Sequence, residues 1–293
     1  MTNRQKGIIC IILSAFSFGL MNVFVKMAGP IPSPEKSLFR NLIALVVAGI
    51  VLARSHAGLK VEKKAWPDLF WRSAFGTMGL LCNYYAVDNL LLADASAIQK
   101  LVPFIAVLAS WVLLREKPKR VQLLLVVLAF ACSLLVIKPS FSNANFGASL
   151  IAALGALGAG VAYVFVRKLS IAGVDKSKII FYFSLFSTLV FLPMTAFNFV
   201  MPSAAQLGCL LMAGVMASCG QYSVTYAYSF APAAQISVFD YTQILFSAIF
   251  GFVFFGQVAD WLSWLGYALL IGIAIVNYWI GSRKASASPA SAK

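Results

Sequence analysis

Residues 232–255 read PAAQISVFDYTQILFSAIFGFVFF, a largely apolar run with a single charged side chain, Asp240. An α-helix rises about 1.5 Å per residue, so a helix of this length crosses the roughly 30 Å hydrocarbon core of a lipid bilayer. A charged group inside such a helix is costly and by default suggests a functional site. The run therefore predicts a membrane-spanning helix that contains one functional acid.

The rest of the chain has the same character. Of its 293 residues, 61% are apolar and 11% are charged, whereas a soluble domain carries about a quarter charged residues. The connections leave no room for a soluble domain, and the first run is too long for a signal peptide. We predict an all-α membrane protein of about ten transmembrane helices. The predicted spans are 7–27, 35–53, 69–89, 92–114, 121–138, 146–170, 177–199, 204–229, 232–255 and 261–281.

Positive charge is concentrated in alternate connections. The chain has 23 Lys and Arg against 9 Asp and Glu. It has no solvent-exposed basic surface of the kind that binds nucleic acid, so we exclude nucleic acid as a partner. With both termini in the cytoplasm, 18 of the 23 cations lie at the cytoplasmic face, and the positive-inside rule selects this orientation. They are Arg4, Lys6, Arg54, Lys60, Lys63, Lys64, Arg72, Arg115, Lys117, Lys119, Arg120, Arg167, Lys168, Lys176, Lys178, Arg283, Lys284 and Lys293.

The sequence offers little for metal or cofactor chemistry. All five cysteines lie inside predicted spans, and the only histidine, His56, lies in a basic loop. Cysteines in such positions usually serve as small, buried, apolar residues that pack between helices. We predict no metal site, no cofactor and no enzymatic activity. The Ser- and Ala-rich segment 285–293 is predicted to be a disordered cytoplasmic tail.

The two halves of the chain match at an offset of 141 residues. This shift superimposes Tyr85-Ala86 on Tyr226-Ala227, Ala93 on Ala234, and the span end at Leu114 on the one at Phe255. Five spans separate the copies, and an odd number reverses the direction of crossing. The sequence predicts two inverted-topology five-helix repeats, residues 1–141 and 142–284, a design that many transporters use.

Each half contains a series of short motifs in a characteristic order. They are Tyr84-Tyr85-Ala86, Ala93-Asp94-Ala95-Ser96-Ala97, Pro103-Phe104 and Leu113-Leu114-Arg115-Glu116-Lys117, then Ala227-Tyr228, Ala231-Pro232-Ala233, Phe239-Asp240-Tyr241-Thr242 and Phe254-Phe255-Gly256-Gln257. With these motifs the chain resembles, over almost its whole length, the ten-helix EamA-type members of the drug/metabolite transporter superfamily. The family often has Gly-Glu where this chain has Arg115-Glu116 and Gly256-Gln257. Both departures lie at helix ends.

Three of the charged side chains inside predicted spans stand out: Arg40, Lys100 and Asp240. Lys100 and Asp240 are each about eight residues from opposite ends of their spans, which places both roughly 12 Å deep. The repeat offset aligns Lys100 with Tyr241 and Asp240 with Gln99. We predict that Lys100, with Arg40, binds a carboxylate or phosphate, and that Asp240 binds an amine or a coupled proton. The alternative is a structural Lys100–Asp240 ion pair between the repeats.

Polar and aromatic side chains complete the predicted site. Rings with a polar tip suit planar or amphipathic substrates, through stacking and cation–π contacts. Tyr222 and Tyr226 are four residues apart and so share a helix face. Helix packing and interfacial belts are the alternative role for each aromatic residue. The further predicted binding residues are Asn22, Tyr85, Gln99, Trp111, Tyr222, Tyr226, Phe239 and Tyr241.

The resemblance implies a secondary transporter that moves a small organic metabolite, amino-acid-like or amphipathic, across the cell inner membrane by alternating access. Export is the first expectation, and proton antiport and facilitated exchange both stay open. The alternative is uptake of an organic anion or cofactor-like metabolite, which Lys100 and Arg40 make credible. A membrane-embedded lipid-modifying enzyme is a remote third reading. The predicted partners are the small-molecule substrate and the lipid bilayer, with the chain acting as a monomer or a homodimer.

Overall fold

The computed structural model describes residues 1–55, 58–89, 98–137, 146–256 and 261–286, and within these ranges all regular structure is helical. The helices are α1 (Asn3–Met27), α2 (Ser33–Ser55), α3 (Trp66–Asn89), α4 (Val102–Leu114), α5 (Arg120–Ile137), α6 (Phe146–Ile171), α7 (Lys176–Ala196), α8 (Ala204–Phe230), α9 (Ala233–Asp240), α10 (Thr242–Phe255) and α11 (Trp261–Ser286). A 3-10 turn at Lys63–Ala65 precedes α3.

Seven stretches of the described chain are long and apolar enough to cross a membrane. They are Asn3–Met27, Ser33–Arg54, Phe146–Ile171, Lys176–Ala196, Ala204–Phe230, Ala233–Phe255 and Trp261–Ile280. This confirms the prediction of an all-α, multi-pass membrane protein. His56 and the tail from residue 287 onward lie outside the described residues.

Polar caps fix where several helices begin. Thr2 Oγ1 accepts a hydrogen bond from Gln5 N at 3.2 Å, and Thr2 N donates to Gln5 Oε1 at 2.8 Å. Ser203 and Gln206 form the same reciprocal pair at the start of α8. Such capping boxes satisfy amide groups that have no partner within the helix. Gln206 Nε2 also donates to Ala28 O at 3.0 Å, so the cap of α8 holds the end of α1.

The fourth and ninth predicted spans are interrupted at equivalent points. The predicted span 232–255 forms two helices, α9 and α10, with Tyr241 between them. In the first half, a turn at Lys100 precedes α4, whose first turn contains Pro103. Proline is favoured there because the first amide groups of a helix need no intrahelical partner. Lys100 and Tyr241 are separated by 141 residues, the offset of the predicted repeat.

Contacts between helices follow the same offset. α1 packs along α8 and α3 packs along α6, and these are the two most extensive contacts of the bundle. Likewise α10 packs on α1 as α4 packs on α6, and α2 packs on α8 as α7 packs on α3. At this offset the counterparts are α1 and α6, α2 and α7, α3 and α8, α4 and α10, and α5 and α11. Exchanging counterparts turns each of these contacts into the one with which it is compared. The pairs α2–α7 and α5–α11 map onto themselves, so the interface between the halves runs through the middle of the bundle.

Small residues allow two of these pairs to approach closely. A Cβ atom on Gly158 of α6 would lie 2.8 Å from Phe75 O and 3.2 Å from Gly79 N of α3. In the equivalent pair of α1 and α8, Ser14 Oγ donates to Gly220 O at 3.0 Å. Close backbone packing and interhelical hydrogen bonds hold helices together in a membrane, since lipid is as apolar as their side chains.

Basic side chains gather at one end of the bundle, which we call the basic end. Arg4 Nη2 donates to Asn277 O at 2.7 Å and so joins the start of α1 to α11. Lys168 Nζ forms an ion pair with Asp68 Oδ1 at 2.8 Å, which joins the end of α6 to the start of α3. The basic end includes Arg4, Lys6, Lys60, Arg167, Lys168, Lys176 and Lys178.

Arg115 ends α4 with φ 56° and ψ 22°, the left-handed conformation. Its counterpart at the end of α10 is Gly256, with φ 63°, and glycine adopts this conformation without steric cost. We expect Arg115→Gly to stabilise the protein by about 1 kcal/mol, measured as a higher Tm in detergent. Gly256→Ala is the matched control and should lower the Tm. A lower Tm for R115G would contradict this expectation.

Candidate functional site

Lys100 lies at the first interruption and is bound to the other half of the chain at two points. Its Nζ donates to Gln243 Oε1 at 2.8 Å. Its carbonyl accepts a hydrogen bond from the hydroxyl of Tyr241 at 2.9 Å. An interrupted membrane helix leaves backbone groups without helical partners, and other polar groups must satisfy them. Here the equivalent interruption of the other half supplies the donor.

Asp240 ends α9 beside this contact. Its carboxylate interacts electrostatically with Lys100 and with the tyrosines at 163, 228 and 241. No ion pair joins Lys100 to Asp240 in the part of the chain that the structure describes, and the ammonium group donates to Gln243. The contacts thus differ from those of a structural Lys100–Asp240 ion pair. They leave the carboxylate without a hydrogen-bond donor among the described residues.

Two tyrosines connect this acid to two arginines. The rings of Tyr163 and Tyr228 stack, with centroids 4.8 Å apart and an interplanar angle of 13°. Tyr163 interacts electrostatically with Asp240 and also with Arg40 and Arg72. We call this set the polar centre, and its members are Arg40, Arg72, Lys100, Tyr163, Tyr228, Asp240 and Tyr241. They come from α2, α3, α6, α8, α9 and the two interruptions, so the polar centre lies at the interface between the halves.

Arg72 differs from its sequence prediction. The charge pattern placed it with the cytoplasmic cations, but its side chain is 2% exposed and its guanidinium lies 4.1 Å from the ring of Phe183. Arg40 is also buried, with its guanidinium 6.0 Å from the ring of Phe18. Neither makes a hydrogen bond or ion pair with a described residue, and the Nε atom of each is buried without a partner. Because α3 begins at Trp66, Arg72 is about 9 Å along the helix and inside the bundle.

Other predicted binding residues divide between the interior and the surface. Gln99 Nε2 donates to Asn83 Oδ1 at 2.7 Å. Phe239 is buried within the hydrophobic core. Three further predicted residues have exposed side chains and make no hydrogen bond or ring contact with the polar centre among the described residues. They are Asn22, Tyr85 and Trp111.

Tyr222 and Tyr226 lie at the basic end rather than at the polar centre. The Nζ atom of Lys176 lies 5.4 Å from the ring centroid of Tyr226. Both tyrosines interact electrostatically with Asp175, which caps the start of α7. The pair therefore shares one face of α8, but that face is turned toward α7.

Three polar residues inside the bundle were not predicted from the sequence: Glu35 and Tyr228, which are buried, and Gln243, which is half-buried. Gln243 follows Asp240 by one helical turn, a spacing that could have identified it. Tyr228 lies in one of the quoted motifs but was not singled out as a binding residue. Glu35 is fully buried at the end of the bundle opposite the basic end, where its Oε2 accepts from Val200 N at 3.1 Å and its Oε1 has no partner. Glu35 is the first residue of a predicted span, a position at which hydropathy does not distinguish a buried acid from an exposed one.

At the basic end, Arg167 holds the two halves together. Its Nε pairs with Glu116 Oε1 at 3.2 Å, and its Nη1 donates to Ser229 O at 2.9 Å. The other carboxylate oxygen, Glu116 Oε2, accepts from Ser110 Oγ at 2.7 Å. We call these four residues the basic clasp. It links the ends of α4, α6 and α8.

Known proteins that are similar to this chain are transporters. The sequence profile of the EamA-like transporter family matches residues 5–138 and 146–279, so the two matches begin 141 residues apart. The pseudopaline exporter of Pseudomonas aeruginosa is 33% identical over 271 residues, which cover 91% of this chain and 94% of that protein. Solute carrier family 35 member G1 of Mus musculus is 26% identical over 301 residues, or 95% of this chain and 80% of that protein.

A riboflavin transporter of Rhizobium johnstonii is 24% identical over 284 residues, or 92% of this chain and 89% of that protein. A solved crystal structure with 16% sequence identity aligns with a TM-score of 0.85 over 95% of this chain and 98% of that one. At this identity the likeness concerns the fold alone.

Proposed function

This chain belongs to the EamA-like transporter family, whose members are transporters and not enzymes, and we propose that it exports a small organic metabolite across the cell inner membrane by alternating access. The direction is supported by the relative at 33% identity, which is named as an exporter. The absence of a phosphate-binding loop motif in the sequence favours a secondary transporter over an ATP-driven one.

The proposed architecture is ten spans in two inverted five-helix repeats, residues 1–141 and 142–284, with both termini in the cytoplasm. Two matches to one family profile at an offset of 141 residues support the repeat. The exchange of helix contacts under the same offset supports it further. The basic end would face the cytoplasm, since the cytoplasmic side of a membrane protein carries the excess of Lys and Arg.

One observation carries the proposal: the hydrogen bond from Tyr241 to the carbonyl of Lys100, 2.9 Å long, joins the interruptions of two equivalent spans. Transporters with inverted repeats bind substrate near mid-membrane, at the repeat interface, where discontinuous helices supply polar groups. The polar centre would then lie at this position, because its members come from both halves and from both interruptions. Rocking of one half against the other would expose it to each side of the membrane in turn.

Asp240 is the proposed coupling residue. It is the carboxylate of the polar centre, and no described residue satisfies it with a hydrogen bond. A carboxylate that alternates between two aqueous sides can carry one proton in exchange for the substrate. Proton antiport would then provide the free energy for export.

Transport by the purified chain in liposomes tests this function. The panel contains pseudopaline and riboflavin, the compounds named for two relatives, together with amino acids and small organic acids. We expect wild-type protein to move at least one compound faster with a pH gradient than without it. Asp240→Asn should lose the gradient response but keep exchange, and Lys100→Ala should lose transport of the same compound.

Asp68→Asn is the matched control, because Asp68 lies in a surface ion pair at the basic end. Its transport should equal that of the wild type with and without the gradient. A gradient response retained in D240N would overturn the coupling role of Asp240. Failure of wild-type liposomes to move any compound of the panel would contradict the proposed function.

A further inference from the structure

Arg40 and Arg72 are members of the polar centre to which the proposed transport cycle assigns no role. Both side chains are more than nine-tenths buried, with exposures of 8% and 2%, and each has an Nε atom without a partner. Arg72 lies 4.1 Å from the ring of Phe183 on α7, and both α2 and α3, which carry the two arginines, pack against that helix. Among the described residues, no carboxylate forms an ion pair with either group.

Such an arrangement is costly in the absence of an anion. A buried charge is tolerated when a counter-charge and hydrogen bonds accompany it, and is strongly unfavourable when they do not. The polar centre contains three cations and one carboxylate, Asp240, which faces the third cation, Lys100. The two arginines therefore have no counter-charge of their own within the polar centre.

The fold does not require arginine at either position. At the repeat offset, the counterparts of Arg40 and Arg72 are Phe181 and Ala213. One glycine also makes room for the second arginine, because a Cβ atom on Gly76 would overlap Nη1 of Arg72 and lie 2.8 Å from the ring of the phenylalanine at 183. The buried cations are thus a property of one half and not of the repeated architecture.

We propose that Arg40 and Arg72 form an anion subsite that holds a carboxylate or phosphate group of the transported metabolite. This rests on the proposed function and specifies its substrate class. Guanidinium groups bind such anions with two parallel hydrogen bonds, which gives them geometric as well as electrostatic selectivity. Ser184 and Thr188 of α7, which packs against α2 and α3, have buried hydroxyls that find no hydrogen-bond partner among the described residues, and these would supply further donors. Asp240 then faces the remainder of the substrate, so an amino-acid-like carboxylate fits the polar centre.

Thermal unfolding of the full chain in phosphatidylcholine nanodiscs tests the subsite. Glutarate and inorganic phosphate are the anionic probes, and 1,5-pentanediol is an uncharged probe of the length of glutarate. We expect at least one anionic probe to raise the wild-type Tm in a concentration-dependent way, and pentanediol to leave it unchanged. Arg40→Met and Arg72→Met should each weaken the apparent affinity about tenfold to a hundredfold. Arg54→Met, at an exposed position near the end of α2, is the matched control and should respond as the wild type does.

The proteins without probe separate a binding role from a structural one. Because neither arginine pairs with a carboxylate in the described ranges of the chain, R40M and R72M should unfold at or above the wild-type temperature. Gly76→Ala keeps both charges but displaces Arg72, so it should weaken probe binding as well. An equal probe response in the wild type, R40M and R72M would overturn the subsite. So would the absence of any wild-type response to both anions.

Failure of the subsite and failure of the proposed function are distinguishable. Liposomes that move only uncharged or cationic compounds, at the same rate with R72M as with the wild type, would keep the transporter function and overturn the anion subsite. Liposomes that move anionic compounds through the wild type, but tenfold or more slowly through R72M, would support both.

Discussion

Gly158→Leu is expected to destabilise the protein by about 3 kcal/mol or more, because it forces two closely packed helices apart. Gly158 lies where α6 crosses α3, and a Cβ atom would come within 2.8 Å of the carbonyl oxygen of Phe75 and 3.2 Å of Gly79 N. These atoms belong to the backbone and cannot rotate away. The two helices would have to separate along one of the two most extensive contacts in the bundle.

The measurement is the Tm of the purified protein in detergent, followed by size-exclusion chromatography to detect aggregation. Gly272→Leu is the matched control: it makes the same substitution in α11, where a Cβ atom would meet nothing within 4 Å. We expect G272L to unfold close to the wild-type temperature and G158L to unfold well below it. Equal Tm values for the two variants would mean that the α3–α6 crossing tolerates separation.

The predicted helices agree with the structure because membrane spans are determined mainly by length and apolar composition. The predicted spans 146–170 and 204–229 correspond closely to α6 and α8. The interruption at Tyr241 was not predicted, since no glycine or proline marks it. Side-chain hydrogen bonds to the backbone accompany it: Ser237 Oγ donates to the carbonyl of residue 233 at 2.6 Å, and Thr242 Oγ1 to that of residue 239 at 2.7 Å. Bonds of this kind compete with regular helix and are hard to recognise from sequence.

The polar centre was predictable only in part. Counting residues from span ends predicts Lys100 and Asp240 at similar depth, and in the structure the carbonyl of Lys100 accepts a hydrogen bond from Tyr241, the residue after Asp240. The same counting cannot fix how each helix is rotated about its axis. Helix rotation decides which side chains meet, and it could not be predicted that Lys100 binds Gln243 or that Tyr222 and Tyr226 face α7 instead of the polar centre. The roles of these residues in transport stay predictions.

Arg72 shows a second limit of sequence reasoning. A cation a few residues inside a span can reach back to the membrane surface or turn inward, and hydropathy does not distinguish these outcomes. Here the space beside Gly76 and the ring of Phe183 favour the inward direction. That outcome depends on the missing side chain of Gly76, one helical turn away, and on the ring of Phe183, more than a hundred residues away in the sequence.

The basic clasp is expected to control how readily the basic end opens. Arg167 binds Glu116 and the carbonyl of Ser229, and so joins helix ends from both halves. Its repeat counterpart, Lys26, lies instead 4.6 Å from the ring of Phe255, and the counterpart of Glu116 in the sequence is a glutamine. A cation over an aromatic ring is weaker than a partly buried ion pair that also has hydrogen bonds. Rocking that opens the basic end must therefore break the Arg167–Glu116 ion pair, whereas the equivalent contact at the opposite end is the weaker one between Lys26 and Phe255.

Arg167→Met should accordingly make opening of the basic end easier by about 1–2 kcal/mol, a factor of roughly 5–30 in its equilibrium. Hydrogen–deuterium exchange measures this directly, because the amides at the ends of α4, α6 and α8 should exchange faster by about that factor. Lys26→Met removes the counterpart cation and should leave exchange at these three helix ends unchanged. Unaltered exchange in R167M would show that the clasp does not hold the halves together. Faster exchange throughout the bundle, with a lower Tm, would point to general destabilisation and contradict a local role.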